Sequence, residues 1–146
     1  MQIQTTRFGI IQVEADAILT FPHGILGLDN CRHWVLLADA HNDALAWLQS
    51  TTRPDVALAV VSPRRYVPGY QVRVTRGELK SLDLADLRQA EVLVIVSRNE
   101  FELTLNLKAP LVINLQQRLG RQVISNADQL VQHPVESARP ALRKSA

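Results

Sequence analysis

Polar and apolar residues alternate strictly over positions 102–108, as Glu-Leu-Thr-Leu-Asn-Leu-Lys. A helix would scatter those leucines around its circumference, whereas an extended strand lines them along one face. The same period of two sets Ile11 and Val13 against Gln12 and Glu14, and Tyr70, Val72 and Val74 against Gln71, Arg73 and Thr75. Each place is predicted to be a strand with its apolar members turned to a core. Positions 56–61 and 92–96 are continuously aliphatic and read as strands buried on both faces. Residues 1–6 also read as strand.

Turn-forming residues separate these segments. Pro22, Gly24 and Gly27 follow Phe21, Pro54 and Pro63 bracket the first aliphatic run, and Pro68-Gly69 is a turn dipeptide. Gly120 is expected in a turn between strands at 111–114 and 122–124, forming a hairpin. Pro110 lacks an amide donor and belongs at a bend or a sheet edge. One stretch is different. Thr75 followed by Glu78 has the form of a capping box, with Leu79 and Leu82 on one helical face. Asp83 is expected to cap a second short turn carrying Leu84 and Leu87, with Asp86 in its first turn. Many short strands and few helices exclude a parallel βαβ sheet, whose crossovers need helices. The fold class is mainly β: a compact, antiparallel, barrel-like single domain with one or two short helical segments.

A chain of 146 residues, 47% of them apolar, suits one such domain, here taken as residues 1–135. Residues 136–146 read as a basic, flexible tail. Of the 16 basic side chains, Arg139, Arg143 and Lys144 lie in the last eight residues, which leaves 13 against 14 acids in the body. The basic pI near 9.0 therefore says little about partners of the folded part. No apolar run is long enough for a membrane helix, and the N-terminus lacks the pattern of a signal peptide. No membrane partner and a cytoplasmic location are expected.

Candidate chemistry is sparse. Cys31 is the one cysteine, which builds neither a disulfide framework nor a thiolate zinc site and reads as a small buried hydrophobe. His23, His33, His41 and His133 lack metal-ligand spacing, and the acids do not form a calcium loop. There is no nucleophile elbow, P-loop or dinucleotide fingerprint. The chain is expected to be no enzyme and to need no cofactor. The Gly24-Ile25-Leu26-Gly27 loop resembles the GxxG loop of some RNA-binding modules, but it is apolar and follows a strand, so it reads as a turn packed on the core. Arg64, Arg65, Arg73 and Arg76 lie with Tyr66 and Tyr70 in a stretch without acids. That composition suits either a solvated strand edge or, as the alternative function, a small nucleic-acid-binding barrel.

Three blocks, in order, resemble a known family. Phe21-Pro22-His23-Gly24-Ile25-Leu26-Gly27 is similar to its F-P-x-G-x-x-G turn. Trp47-Leu48-Gln49-Ser50 with Pro54, residues 57–61 and Pro63 is similar to its W-L-Q-S…P…A-F-x-V…P block. Residues 105–114, with Gly120 and Gln122 following, resemble its V-N-L-x-A-P-I-x-I-N strand pair. The family is that of the flagellar assembly factor FliW. Ser62 and Arg53 depart from it, standing where the family's usual residue is acidic, and Gln132-His133-Pro134-Val135 keeps only part of its C-terminal pattern.

The resemblance implies a barrel-like antiparallel fold and a non-enzymatic regulator with two protein partners. One is the RNA-binding translational repressor CsrA, whose repression of flagellin mRNA such proteins relieve. The other is flagellin, bound in a chaperone-like way. Direct nucleic-acid binding is not expected of it. The first candidates for partner contact are Asn106, Pro110 and Asn114, on the outward side of a strand pair, where amides both donate and accept and proline leaves backbone groups free. Gln122 and Gln49 come next, and Trp47 is the candidate aromatic anchor.

Overall fold

Alternating segments need partner strands, and the computed structural model, which describes residues 1–125 and 129–135, supplies them by closing a sheet into a ring. β1 (Gln2–Thr5) and β2 (Gly9–Gln12) form a separate antiparallel hairpin. The ring is built from β3 (Ile18–Thr20), β4 (His33–Ala38), β5 (Leu45–Ser50), β6 (Ala57–Val61), β7 (Glu91–Arg98), β9 (Leu111–Asn114) and β10 (Leu119–Gln122). Its order runs β7-β6-β5-β4-β3-β10-β9, and β9 pairs back onto β7. β8 (Leu103–Leu105) and β11 (His133–Pro134) extend outward from β7. Every described pairing is antiparallel except β10 with β3, where Leu119 lies opposite Thr20 in parallel. The barrel expected from sequence is present, with this one parallel seam. Among the described residues no helix is long and apolar enough to cross a membrane.

Strand parity then sorts the side chains. Leu19, Phe21, Trp34, Leu48, Val60, Leu93, Leu111 and Ile113 fill the barrel. Burying each large aliphatic or aromatic side chain among them contributes roughly 1.5–3 kcal/mol. Next to them in sequence, Val61 and Val94 point outward into a second cluster with Tyr70, Leu105, Leu107 and Val135. The two aliphatic runs are thus covered on both faces at these positions. On the outside of β4, Val35 packs with Ile3 and Val13 of the N-terminal hairpin segment. On the outside of β9 and beyond β10, Val112 and Val123 meet Leu82, which α1 (Arg76–Ser81) delivers at its C-terminal end.

Local chemistry explains the helix. Thr75 Oγ1 accepts from the Glu78 amide at 3.1 Å, and a Glu78 carboxylate oxygen accepts from the Thr75 amide at 2.9 Å. The expected capping box is therefore formed. Asp83 has a different role from the one expected. Its φ is 55°, and the Asp83 and Leu84 amides donate back to the Lys80 and Leu79 carbonyls, which ends α1 in a left-handed cap. The cap of the next turn is Asp86, whose Oδ1 accepts from the Arg88 amide at 2.8 Å.

Three other expectations are corrected. Residues 70–75 are extended and keep Val72 and Val74 partly buried, yet they join no ladder. Alternation there records an extended chain laid on the outer face of the barrel, where hydrogen bonds come from elsewhere: Tyr70 Oη donates to the Leu107 carbonyl at 2.6 Å. The leucines of 102–108 do not share one burial level. Leu105 and Leu107 are buried, but Leu103, next to the β7–β8 turn, is 40% exposed. Gly120 lies inside β10 opposite Ile113, and the turn is formed by residues 115–118, with Arg118 at positive φ. Gly120 is needed for space. A Cβ there would stand 2.3 Å from Cζ of the Phe21 ring, which is fully buried.

Gly120→Ala is expected to cost about 1–3 kcal/mol, because the Phe21 ring has no room to retreat. Urea unfolding checks this, and an unchanged midpoint would refute the contact. Burial holds the Tyr70 phenol up to about 12, above its ordinary value of 10.0. The folded state thus favours the protonated ring. Its stabilisation is complete below pH 10 and is lost as pH rises from about 10 through about 12. Tyr70→Phe should flatten that alkaline loss in thermal melts, at a cost near neutrality of about 1 kcal/mol for the hydrogen bond.

Candidate protein-interaction site

Trp47 sits on β5 between Ala46 and Leu48, which face the barrel interior, so parity turns its indole outward. Three polar or aromatic groups hold it there. Its Nε1 donates to Asp39 Oδ1 at 2.9 Å. The Arg7 guanidinium lies 4.0 Å from the ring centroid, and the Phe8 ring meets it edge-on at 6.1 Å and 70°. A cation over an indole face is worth about 0.5–1 kcal/mol at an exposed position.

The neighbouring turns are pinned. Asp39 Oδ2 accepts from the His41 and Asn42 amides at 3.0 and 2.9 Å, which shapes the β4–β5 turn. The Trp47 hydrogen bond, then the His41 amide, hold the Asp39 carboxyl below its ordinary value. In the N-terminal hairpin Thr5 Oγ1 accepts from the Phe8 amide and donates to the Gly9 carbonyl. The Thr6 amide then donates to the Pro54 carbonyl at 2.9 Å, tying the hairpin to the β5–β6 turn. The result is a half-buried indole with an exposed arginine beside it. This pairing of residue types is common in the energetic centres of protein interfaces.

The other candidates lie elsewhere, and most do not face outward as expected. Gln49 is fully buried, and its Nε2 donates to the Ser50 and Val56 carbonyls at 3.0 and 3.1 Å, inside the β5–β6 turn. Asn114 is 5% exposed. Its Nδ2 donates to the Leu82 carbonyl at 2.8 Å, and its Oδ1 accepts from the Gln117 amide at 3.2 Å. One amide thus joins the end of α1 to the β9–β10 turn. Asn106 is half-buried, with Oδ1 accepting from the Ala109 amide at 3.1 Å, and Pro110 is buried at the bend before β9. Gln122 is half-buried and links two chain segments: Oε1 accepts from the Leu26 amide at 2.8 Å and Nε2 donates to the Ala109 carbonyl at 3.2 Å. Asn114 and Gln122 each use both ends of the amide, donating and accepting at once, whereas Gln49 only donates and its buried Oε1 has no hydrogen-bond partner among the described residues. Only Trp47 of the six combines a large apolar face with a place at the surface.

Arg7, Phe8 and Asp39 were not singled out from sequence. Nothing in their local pattern distinguishes them from ordinary turn residues, since their meeting with Trp47 is across elements. The alternative surface at residues 64–76 is altered by folding. Tyr70 is buried, and Tyr66 packs against the Tyr70 cluster, so neither ring is a free stacking platform. The Gly24–Gly27 turn is packed on the core through Ile25, with Gly24 and Gly27 both at positive φ. Cys31 is buried and free. Among the described residues no group of histidine, cysteine and acids could hold a metal ion.

Asn114→Ala should lower stability by about 1–3 kcal/mol, because the Leu82 carbonyl and Gln117 amide lose a buried partner. Asn114→Asp should cost more near neutrality, since it turns an acceptor onto carbonyl oxygens. Denaturant midpoints for the two variants, in the opposite order, would contradict this geometry.

Comparison with known proteins agrees with the architecture. The family model described as FliW protein matches residues 2–135. A flagellar assembly factor FliW from Bdellovibrio bacteriovorus is 35% identical over 138 residues, covering 92% of this chain and 79% of that protein. One from Caldanaerobacter subterraneus is 35% identical over 140 residues, covering 92% and 93%. A crystal structure of the flagellar assembly factor FliW superposes with a TM-score of 0.85 at 29% identity, covering 92% of this chain and 96% of that one. The names of these relatives are those of assembly factors. The chain belongs to the FliW family.

Proposed function

We propose that this protein is a cytoplasmic flagellar assembly factor that works by binding proteins and catalyses no reaction. Its partners are flagellin, held in a chaperone-like way, and a CsrA-type repressor, whose capture relieves repression of flagellin mRNA. The observation that carries this reading is the family match across residues 2–135, joined to a barrel whose outward indole is braced by Arg7 and Asp39. The interacting unit is residues 1–135; the basic segment 136–146 lies outside the described residues.

Trp47 supplies the anchor in this proposal. Its ring offers apolar area at low entropic cost, and the braces leave little motion to lose on binding. Gln49, Asn106, Pro110, Asn114 and Gln122 act as the frame that fixes the turns a partner meets. A direct role in binding nucleic acid has weaker support, because the tyrosines that would stack on bases are engaged in packing.

Isothermal titration with the flagellin and the CsrA-type repressor of the same organism tests the proposal. Each is expected to bind, and Trp47→Ala should weaken at least one of them about 30-fold, the loss of ~2 kcal/mol typical of an interface hot spot. Thermal melts of the variant establish that the barrel survives. Binding of neither partner by the intact chain would end this reading.

A further inference from the structure

From Ser62 to Gly77 the chain carries Arg64, Arg65, Arg73 and Arg76 and no acid. All four arginines are exposed. They are presented by a segment held by its own hydrogen bonds. Hydrogen bonds from the Arg65, Tyr66 and Val67 amides return to the Ser62 and Pro63 carbonyls, and Arg64 Nε donates to the Tyr70 carbonyl at 3.1 Å. Farther on, Val72 and Val74 pack inward, which leaves Arg73 on the outer side of the extended stretch. Arg76 opens α1, where the helix dipole opposes a positive charge.

Two of the nearby acids are committed elsewhere, while Asp83 lines a second depression together with Arg76 and Lys80. Glu78 closes the capping box and stands 3.9 Å from Arg121, and Asp86 pairs with Arg88 at 2.9 Å. Beside the ridge is a cleft of about 460 Å³, open to solvent and lined by Val72, Leu87 and Val92, with Arg64 as the one ridge arginine in its lining beside Arg88, and Glu91 as the single acid. Its volume suits one or two side chains.

We infer that this ridge and cleft form a docking surface for an extended acidic segment of a partner protein, whose carboxylates meet Arg65, Arg73 and Arg76 while an apolar side chain enters the cleft. The inference is independent of the Trp47 site. Charge selects the partner, and the cleft with its valine and leucine lining favours a peptide over RNA. An RNA would need rings to stack on, and Tyr70 is buried beneath the segment with its hydroxyl engaged by the Leu107 carbonyl.

Fluorescence anisotropy on the full chain tests this with three short labelled probes: a peptide of repeating Glu-Glu-Leu, its Lys-Lys-Leu counterpart, and an oligouridine of matched length. The acidic peptide should bind best, lose affinity as salt rises, and bind about tenfold or more weakly to the Arg65→Ser/Arg73→Ser/Arg76→Ser protein. Those side chains are exposed, so the variant keeps its fold, as circular dichroism would verify. Replacing Leu by Ser in the peptide should also weaken binding, because the cleft then loses its occupant. Equal binding to the triple variant, no preference for the acidic peptide, or tighter binding of the oligouridine would each overturn the inference. Flagellin and repressor binding by the same variant is read separately, so loss of one surface is distinguishable from loss of the other.

Discussion

Pairing of β9 with β7, through Ile113 opposite Glu91, Val112 opposite Val92 and Leu111 opposite Leu93, turns a twisted open sheet into a ring. An open sheet of these strands would leave two unpaired edges and a half-covered set of leucines and valines. Closure removes the edges within the ring and encloses Phe21, Trp34 and Leu48 at once. The ring is narrow for its contents. Phe21 fits because Gly120 has no side chain. Packing at this density leaves little freedom to substitute either partner alone.

A closed barrel of short strands makes its surface from turns, and turns need hydrogen-bonding partners that strands do not supply. This molecule meets that need with side-chain amides and carboxylates. Gln49 satisfies the β5–β6 turn, Asn114 the junction of α1 with the β9–β10 turn, Gln122 the loop at Leu26, and Asp39 the β4–β5 turn. The residues that first suggested partner contact therefore support the surface from below. Asp39 alone does both, fixing its turn and holding the Trp47 indole.

The outer layer divides into two faces of different character. Around Trp47 the chemistry is aromatic with a single stacked cation, suited to burial against a folded partner. Along residues 62–77 it is a ridge of arginines on a hydrogen-bonded scaffold, suited to an extended and acidic one. Near-neutral charge over the body as a whole conceals this local asymmetry, because residues 62–77 hold four arginines and no acid. Partner choice depends on such local fields more than on net charge.

Sequence periodicity determined that these segments would be extended and, with exceptions such as Leu103 and Thr104, which residues would turn inward; a capping box marked where α1 would start, and three spaced motifs marked which family the chain resembles. Those features are local: alternation follows from strand geometry, and a capping box from atoms three residues apart. Tertiary structure alone decided the rest. Whether an extended stretch joins a ladder, as 103–105 does and 70–75 does not, depends on a neighbour distant in sequence. So does the placement of Gly120 inside β10, and the burial of Asn114 and Gln49, whose partners lie across turns and elements. Arg7, Phe8 and Asp39 meet Trp47 only because the hairpin and the β4–β5 turn fold onto β5, a proximity no local pattern encodes.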